Sequence, residues 1–286
     1  MEILQLVLYG LILGSIFSLG AIGVSLTFGI LRFANFSHGE MMTVGAYVAY
    51  TVYTLMALPF WVAVPVALLA VAGVAVLADR LLYRHFRRSQ PIILLISSFG
   101  TALILRSAVQ LIWGPENHLY STEIQFAERF LGMMIKPDQI AILAGAVVLM
   151  VGLHLFLQKT RTGKAMRAVA DNPELARLTG INTERVILWT WVLGGGLAAA
   201  AGIFLGMDTR LFPEMGWNLL LPVFAAAILG GIGNPYGAVV GGLVIGVSQE
   251  LSTLVLDSTY KPAVAFTLMV IILIVRPTGI FSGRST

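Results

Sequence analysis

The sequence contains no cysteine, which excludes disulfides, thiolate catalysis and cysteine-based metal sites. Charge is scarce as well. Asp, Glu, Lys and Arg make up 11% of the 286 residues, where an ordinary soluble domain carries about 25%. The four histidines, His38, His85, His118 and His154, are scattered and give no metal-ligand spacing. No phosphate-binding loop is present. The nearest stretch, Thr162-Gly163-Lys164-Ala165, lacks the first Gly and the closing Ser/Thr of that motif. The chain is therefore expected to hold no metal, no catalytic set and no cofactor of its own. Its net charge of +4 is not gathered into a patch with interleaved aromatics, which argues against nucleic acid as a partner.

What is present is apolar: 58% of the residues are hydrophobic, and 30 are glycine, which allows close helix–helix approach in a bilayer. A chain apolar on nearly every side belongs in lipid, where only closed hydrogen-bonded elements cross. The expected fold is all-α, a polytopic transmembrane bundle forming a single domain over residues 1–286. Apolar runs at 4–30, 41–58, 61–78, 92–113, 140–157, 186–207, 219–229, 238–256 and 263–275 predict eight or nine crossings. The run 219–229 is short and ends in Gly230-Gly231-Ile232-Gly233-Asn234-Pro235, so it reads as half of a broken helix or as part of its neighbour. The first run lacks a basic start and is too long for a signal peptide, so it is expected to stay as a spanning helix.

Thirteen of the 18 Lys and Arg residues fall in four alternate connections. These hold Arg32; Arg80, Arg84, Arg87 and Arg88; Lys159, Arg161, Lys164, Arg167, Arg177 and Arg185; and Arg276 and Arg284. Basic loops stay cytoplasmic. That places residues 114–138 and 208–218 outside, with the N-terminus outside and the C-terminus cytoplasmic. Ends on opposite sides require an odd number of crossings, which favours nine.

Residues 160–185, TRTGKAMRAVADNPELARLTGINTER, are too polar for the bilayer. Pro173 suits a first helical turn with Asn172 or Asp171 as N-cap, and Gly180 suits its stop. The pattern predicts a short cytoplasmic helix over 173–179, within a cytoplasmic segment 159–185. Its small residues allow it to seat in a partner's groove, while a solvated loop is the plainer alternative.

Two polar breaks interrupt the apolar runs. Residues 31–40 carry Arg32, Asn35, Ser37, His38 and Glu40, and residues 230–236 carry Asn234. Such breaks either line a translocation cavity or are simple turns that cap the next helix. Arg106 lies inside an apolar run seven residues before Trp113, so about 10 Å below that interface. It either snorkels, meets a partner acid or serves a pathway. Asn35, Ser37, His38, Glu40, Arg106 and Asn234 are therefore the candidate pathway residues.

Glu174-Leu175-Ala176-Arg177-Leu178-Thr179-Gly180 resembles the E-A-A-x-x-x-G core of the coupling loop in ABC importer permeases. Leu175 replaces the second-position Ala, and the usual downstream Ile-x-Leu-Pro is absent. As a whole the chain resembles the branched-chain amino acid permease family of ABC importers. The likeness is carried by Asn35-Phe36-Ser37-His38-Gly39-Glu40 with Gly45-Ala46-Tyr47, by residues 166–182 and by residues 230–242. It implies that Glu174, Ala176, Arg177 and Gly180 couple to an ATPase. It also implies a second homologous permease, two cytoplasmic ATPase subunits holding ATP and Mg, an external solute-binding protein and a bacterial inner membrane. Similar permeases carry amino acids, urea, short amides or aromatic acids. A gradient-driven secondary transporter or channel is the rival reading, but it has no need of an ATPase socket.

Overall fold

The computed structural model describes residues 2–87, 89–120, 127–130 and 133–281. It is helical nearly throughout. The chain begins with α1 (Glu2–Leu31) and α2 (Ser37–Tyr50), the latter running on through a π-helical stretch, Thr51–Leu55. Then α3 (Phe60–Ala78) passes through a second π stretch, Asp79–Tyr83, into the single turn α4 (Arg84–Phe86). The helix α5 (Pro91–Trp113) precedes two short antiparallel strands, β1 (Glu128–Phe130) and β2 (Met133–Ile135). There follow α6 (Pro137–Lys159), α7 (Arg161–Asp171), α8 (Pro173–Leu178) and α9 (Thr183–Asp208). The chain closes with α10 (Met215–Gly230), α11 (Pro235–Ser252) and α12 (Lys261–Val275).

The nine apolar runs correspond one to one with nine helices. Among the described residues, six helical stretches are long and apolar enough to cross a membrane: Glu2–Leu31, Phe60–Phe86, Pro91–Trp113, Pro137–Lys159, Thr183–Asp208 and Ser258–Val275. The shorter α2, α10 and α11 pack among them. Three details differ from the sequence reading. Ser37, His38 and Glu40 already belong to α2, so only residues 32–36 are irregular in the first break. The run 219–229 is part of a 16-residue helix that starts at Met215. Residues 161–171 form a helix of their own, α7, with Thr160 Oγ1 accepting from the Gly163 amide as its cap. The polar surface of α7 hid its buried Met166 and Val169 from a search for long apolar runs.

The core is built around α1 and α9. Gly10 and Gly14 of α1 lie directly on the backbone of α11 near Leu243 and Val247, and Gly242 and Gly246 lie on α1 in return. Ser18 Oγ seals this seam by donating to Val239 O at 2.8 Å. Without side chains in between, the two backbones approach closely enough for dispersion to replace the missing hydrophobic drive between helices in lipid. On α9, Ala199 meets Gly45 and Gly202 meets Met42, which fixes α2 in the centre.

The basic connections gather at one end of the bundle. Arg32 donates to Ala170 O at 3.0 Å, and Arg87 pairs with Glu184 at 2.8 Å. The C-terminal stretch closes the same end, with the Ile280 amide on Leu229 O and the Phe281 amide on Gly230 O. At the opposite end Gln5 exchanges two hydrogen bonds with the Met134 backbone, and His118 pairs with Leu211 across two connections.

Candidate functional site

The depth of α2 governs the site. Ser37, its first residue, lies beside Tyr83, with their hydroxyls 3.0 Å apart. Tyr83 stacks on Trp191 with ring centroids 5.2 Å apart. Trp191 is seven residues along α9 from Glu184, so α2 starts about 10 Å inside the bundle from the Arg87–Glu184 layer. Residues 32–36 climb back from the end of α1 to reach that depth. Irregular backbone survives there because protein covers it: Phe33 and Asn35 are buried. The amino end of α2 is satisfied locally. Asn35 Oδ1 accepts from the Ser37 amide at 3.2 Å and from its hydroxyl at 2.7 Å, and the Phe36 amide donates to Ser98 Oγ at 3.1 Å.

One turn higher, two of the candidate residues meet. Glu40 Oε1 accepts from Arg106 Nη2 at 2.5 Å and from Nε at 3.0 Å. The Glu40 side chain is fully buried, whereas that of Arg106 is 21% exposed. The guanidinium also lies over the Trp217 ring, 4.9 Å from its centroid, and Phe99 packs edge-on against the same ring. Toward the end away from the basic connections, Gln110 Nε2 donates to Glu214 Oε1 at 3.0 Å, and the Gly216 amide donates to Thr43 Oγ1 at 3.1 Å. Gly39 and Gly216 touch backbone to backbone, which brings the first turns of α2 and α10 together. Glu214, Gln110, Trp217 and Thr43 thus complete a polar cluster around Glu40 and Arg106, two candidates that the sequence reading named separately. They were missed because their hydrogen bonds join residues 104 and 173 apart in sequence.

The other candidates lie elsewhere. His38 Nε2 is 3.0 Å from Gly20 O, buried between α1 and α9. Asn234 caps α11 by accepting from the Tyr236 and Gly237 amides at 3.0 and 3.2 Å, and donates to Phe281 O at 3.0 Å. Gly233, beside it, lies on Gly29, so the second break closes the basic end of α1. Glu250, a second acid near a helix end, pairs with Lys261 at 2.6 Å.

At the basic end, α8 is defined at both termini. Asn172 Oδ1 accepts from the Glu174 and Leu175 amides at 3.1 and 3.0 Å. Gly180 stops the helix at φ +83°, where a Cβ would be strained, and the Ile181 amide returns to Ala176 O. Ala176 faces the bundle, while Glu174, Arg177 and Gly180 face out. Leu175 and Leu178 are also exposed, at 58% and 85%.

The sequence matches the family described as "Branched-chain amino acid transport system / permease component" over residues 6–274. This chain belongs to that family. It is 36% identical to the high-affinity branched-chain amino acid transport system permease protein BraD of Pseudomonas aeruginosa, over 98% of this chain and 96% of that protein. Against LivH of Escherichia coli, a permease protein of the same description, identity is 35% over 98% and 96% of the two chains. The galactofuranose transporter permease protein YtfT of E. coli is more distant, at 28% over 78% of this chain. Among solved structures, PsaBC from Streptococcus pneumoniae in complex with a Fab aligns with a TM-score of 0.51, covering 97% of this chain and 93% of that one. At 12% identity that likeness concerns the fold alone. The chain is a multi-pass membrane permease component, and its relatives are transport proteins rather than enzymes.

Proposed function

We propose that this permease is one half of the membrane pore of a binding-protein-dependent ABC importer of branched-chain or similar amino acids. The observation that carries the pathway is the flank shared by α5 and α10. Arg106 reaches this flank half-buried within the apolar helix Pro91–Trp113, beside the fully buried Glu40, with the half-buried Gln110 and Glu214 nearer one end of that helix. A charge facing lipid at that depth costs several kcal/mol. The flank therefore needs protein or water against it, and a second homologous permease supplies both: a wall, and a wet seam between the two subunits. In that seam Arg106 meets the carboxylate of a passing amino acid and Glu214 its ammonium group, while Glu40 holds the guanidinium in place. Asn35 and Ser37 set the depth of α2, His38 locks it to α1, and Asn234 keeps the basic end closed.

Motion reaches this seam by a short mechanical route. Two cytoplasmic ATPase subunits, carrying ATP and Mg, hold α8 through Glu174, Leu175, Arg177 and Leu178. Ala176 and Gly180 set the seat of that helix on the permease. A push on α8 passes directly into α9, and from there through the Gly45–Ala199 and Gly202–Met42 contacts to α2 and Glu40. The paired connections at His118 and Leu211 face outward, where a loaded solute-binding protein docks. In this orientation the N-terminus is outside, the C-terminus is cytoplasmic and the host is a bacterial inner membrane.

The test is to purify a tagged chain from its native membrane in mild detergent and identify its companions. An ATPase should co-purify, and Leu175→Ser with Leu178→Ser should cut its recovery at least about tenfold, because both side chains lie open to a partner. Recovery of a stable complex without any ATPase would remove the importer reading.

A further inference from the structure

A polar cavity, of about 340 Å³, opens at the basic end between the end of α3 and the start of α9. Asp79, Arg80 and Arg84 form one wall, and Glu184, Arg185 and Trp191 the other. The wall of α3 is the stretch that winds as a π-helix, a geometry frequent at functional sites. Arg87 spans the two acids, bonding Asp79 Oδ2 and both oxygens of Glu184, the latter at 2.8 and 3.0 Å. The cluster holds four arginines against two carboxylates, a surplus of two positive charges. Among the described residues, neither Arg80 nor Arg185 has a carboxylate partner.

Two residues that line the cavity also carry buried polar atoms with nothing to bond. Trp191 is 1% exposed, and its Nε1–H finds no acceptor although the residue lines the cavity. Asp79 Oδ1 is buried without a donor, and the Nε–H of Arg87, which does not line the cavity, is buried without an acceptor. An unpaired buried donor is costly enough that a partner is expected. The unmet needs of the cavity lining are thus one neutral N–H and two free guanidinium groups asking for acceptors, and one carboxylate oxygen asking for a donor. A phosphodiester with a hydroxyl beside it satisfies all of them at once.

The surroundings identify where that group comes from. Val76 and Leu188 give the cavity an apolar floor. Above it the outer face of α3 is open and greasy, with Leu69, Leu77 and Leu81 between 55% and 72% exposed. At Gly73 an added Cβ would meet nothing, so the face is grooved there. A soluble anion has no use for this face, whereas an acyl chain does. We infer that the cavity binds the headgroup of an anionic, hydroxyl-bearing phospholipid of the glycerol-phosphoglycerol type. Its phosphate lies against Arg80, Arg185 and Trp191 Nε1–H, its hydroxyl donates to Asp79 Oδ1, and its acyl chain runs along α3.

The full-length chain in nanodiscs of mixed phosphatidylglycerol and phosphatidylcholine, read by native mass spectrometry, tests the inference. The unaltered chain should retain phosphatidylglycerol preferentially. Arg80→Gln with Arg185→Gln should weaken that preference about 25-fold, at about fivefold for each surface arginine. Trp191→Phe removes the N–H together with the pyrrole part of the indole and should weaken it about tenfold; the thermal midpoint of the same variant, read alongside, separates loss of the donor from loss of packing against Tyr83. A preference unchanged in the double arginine variant and in Trp191→Phe overturns the site. Loss of it in the arginine variant alone reduces it to diffuse surface charge and overturns it equally. Displacement of the lipid by millimolar inorganic phosphate from the unaltered chain overturns the lipid assignment in favour of a soluble anion.

Discussion

Consider replacing each member of the Glu40–Arg106 pair in turn, and then both together. Arg106→Met leaves the Glu40 carboxylate fully buried with no countercharge. Stranding one charge of a buried pair costs about 3–5 kcal/mol. Glu40→Gln is milder. The guanidinium keeps the face of Trp217 and its 21% exposure, so only the charged hydrogen bonds are lost, about 1.5–3 kcal/mol. In the double variant neither charge is stranded, and the cost should fall to about 1–2 kcal/mol. The pair then shows a coupling of roughly 2.5–7 kcal/mol, well outside the few tenths expected of independent sites. Denaturant unfolding of the four chains in one mixed-micelle composition measures this cycle. Additivity within about 0.5 kcal/mol would refute the reasoning, because it would mean the two charges do not sense each other. Uptake in reconstituted vesicles adds a second reading. A double variant that regains stability yet transports at less than about a tenth of the original rate places the pair on the pathway. Full recovery of uptake assigns it to holding α5 against α2.

Three further outcomes follow from packing and capping. Gly242→Ala drives a Cβ into the Ser18 backbone at the α1–α11 seam and should cost about 1–3 kcal/mol, whereas Gly196→Ala meets nothing and should stabilise α9 by about 0.5–1 kcal/mol; thermal unfolding midpoints in one detergent should therefore move in opposite directions. Tyr120→Phe removes the 2.9 Å bond from its hydroxyl to Ala46 O, should cost about 1 kcal/mol, and should raise amide exchange at residues 114–120 before the rest of the chain is affected. Asn172→Ala removes the cap of α8 at about 1 kcal/mol, and proteolysis should then cut residues 172–180 faster while the membrane helices stay intact.

Much of this protein could be read from the chain because a bilayer imposes a simple rule: long apolar runs become helices. The nine runs, the basic end and the cap-to-glycine span of α8 follow from composition and local chemistry. Asn172 and Gly180 are recognisable because capping and positive φ are properties of a few neighbouring residues. The helix α7 escaped notice because it is amphipathic and polar, and β1–β2 because three-residue strands leave almost no period. Arg106 stood out as a misplaced charge and Glu40 as part of a polar break, but nothing local indicated that they meet.

The sequence by itself determined the class, the apolar helices and the family, because these depend on hydrophobicity and short motifs that act within a few residues. Tertiary structure alone decided which polar residues share a site. It lifted Ser37 about 10 Å from the basic end, brought Arg106 across to Glu40, set Trp217 and Glu214 beside them, and left the buried Nε1–H of Trp191, a residue lining a cavity, without an acceptor. Those placements depend on where glycine-lined helices cross, and a crossing joins residues too far apart in the chain for any local pattern to record.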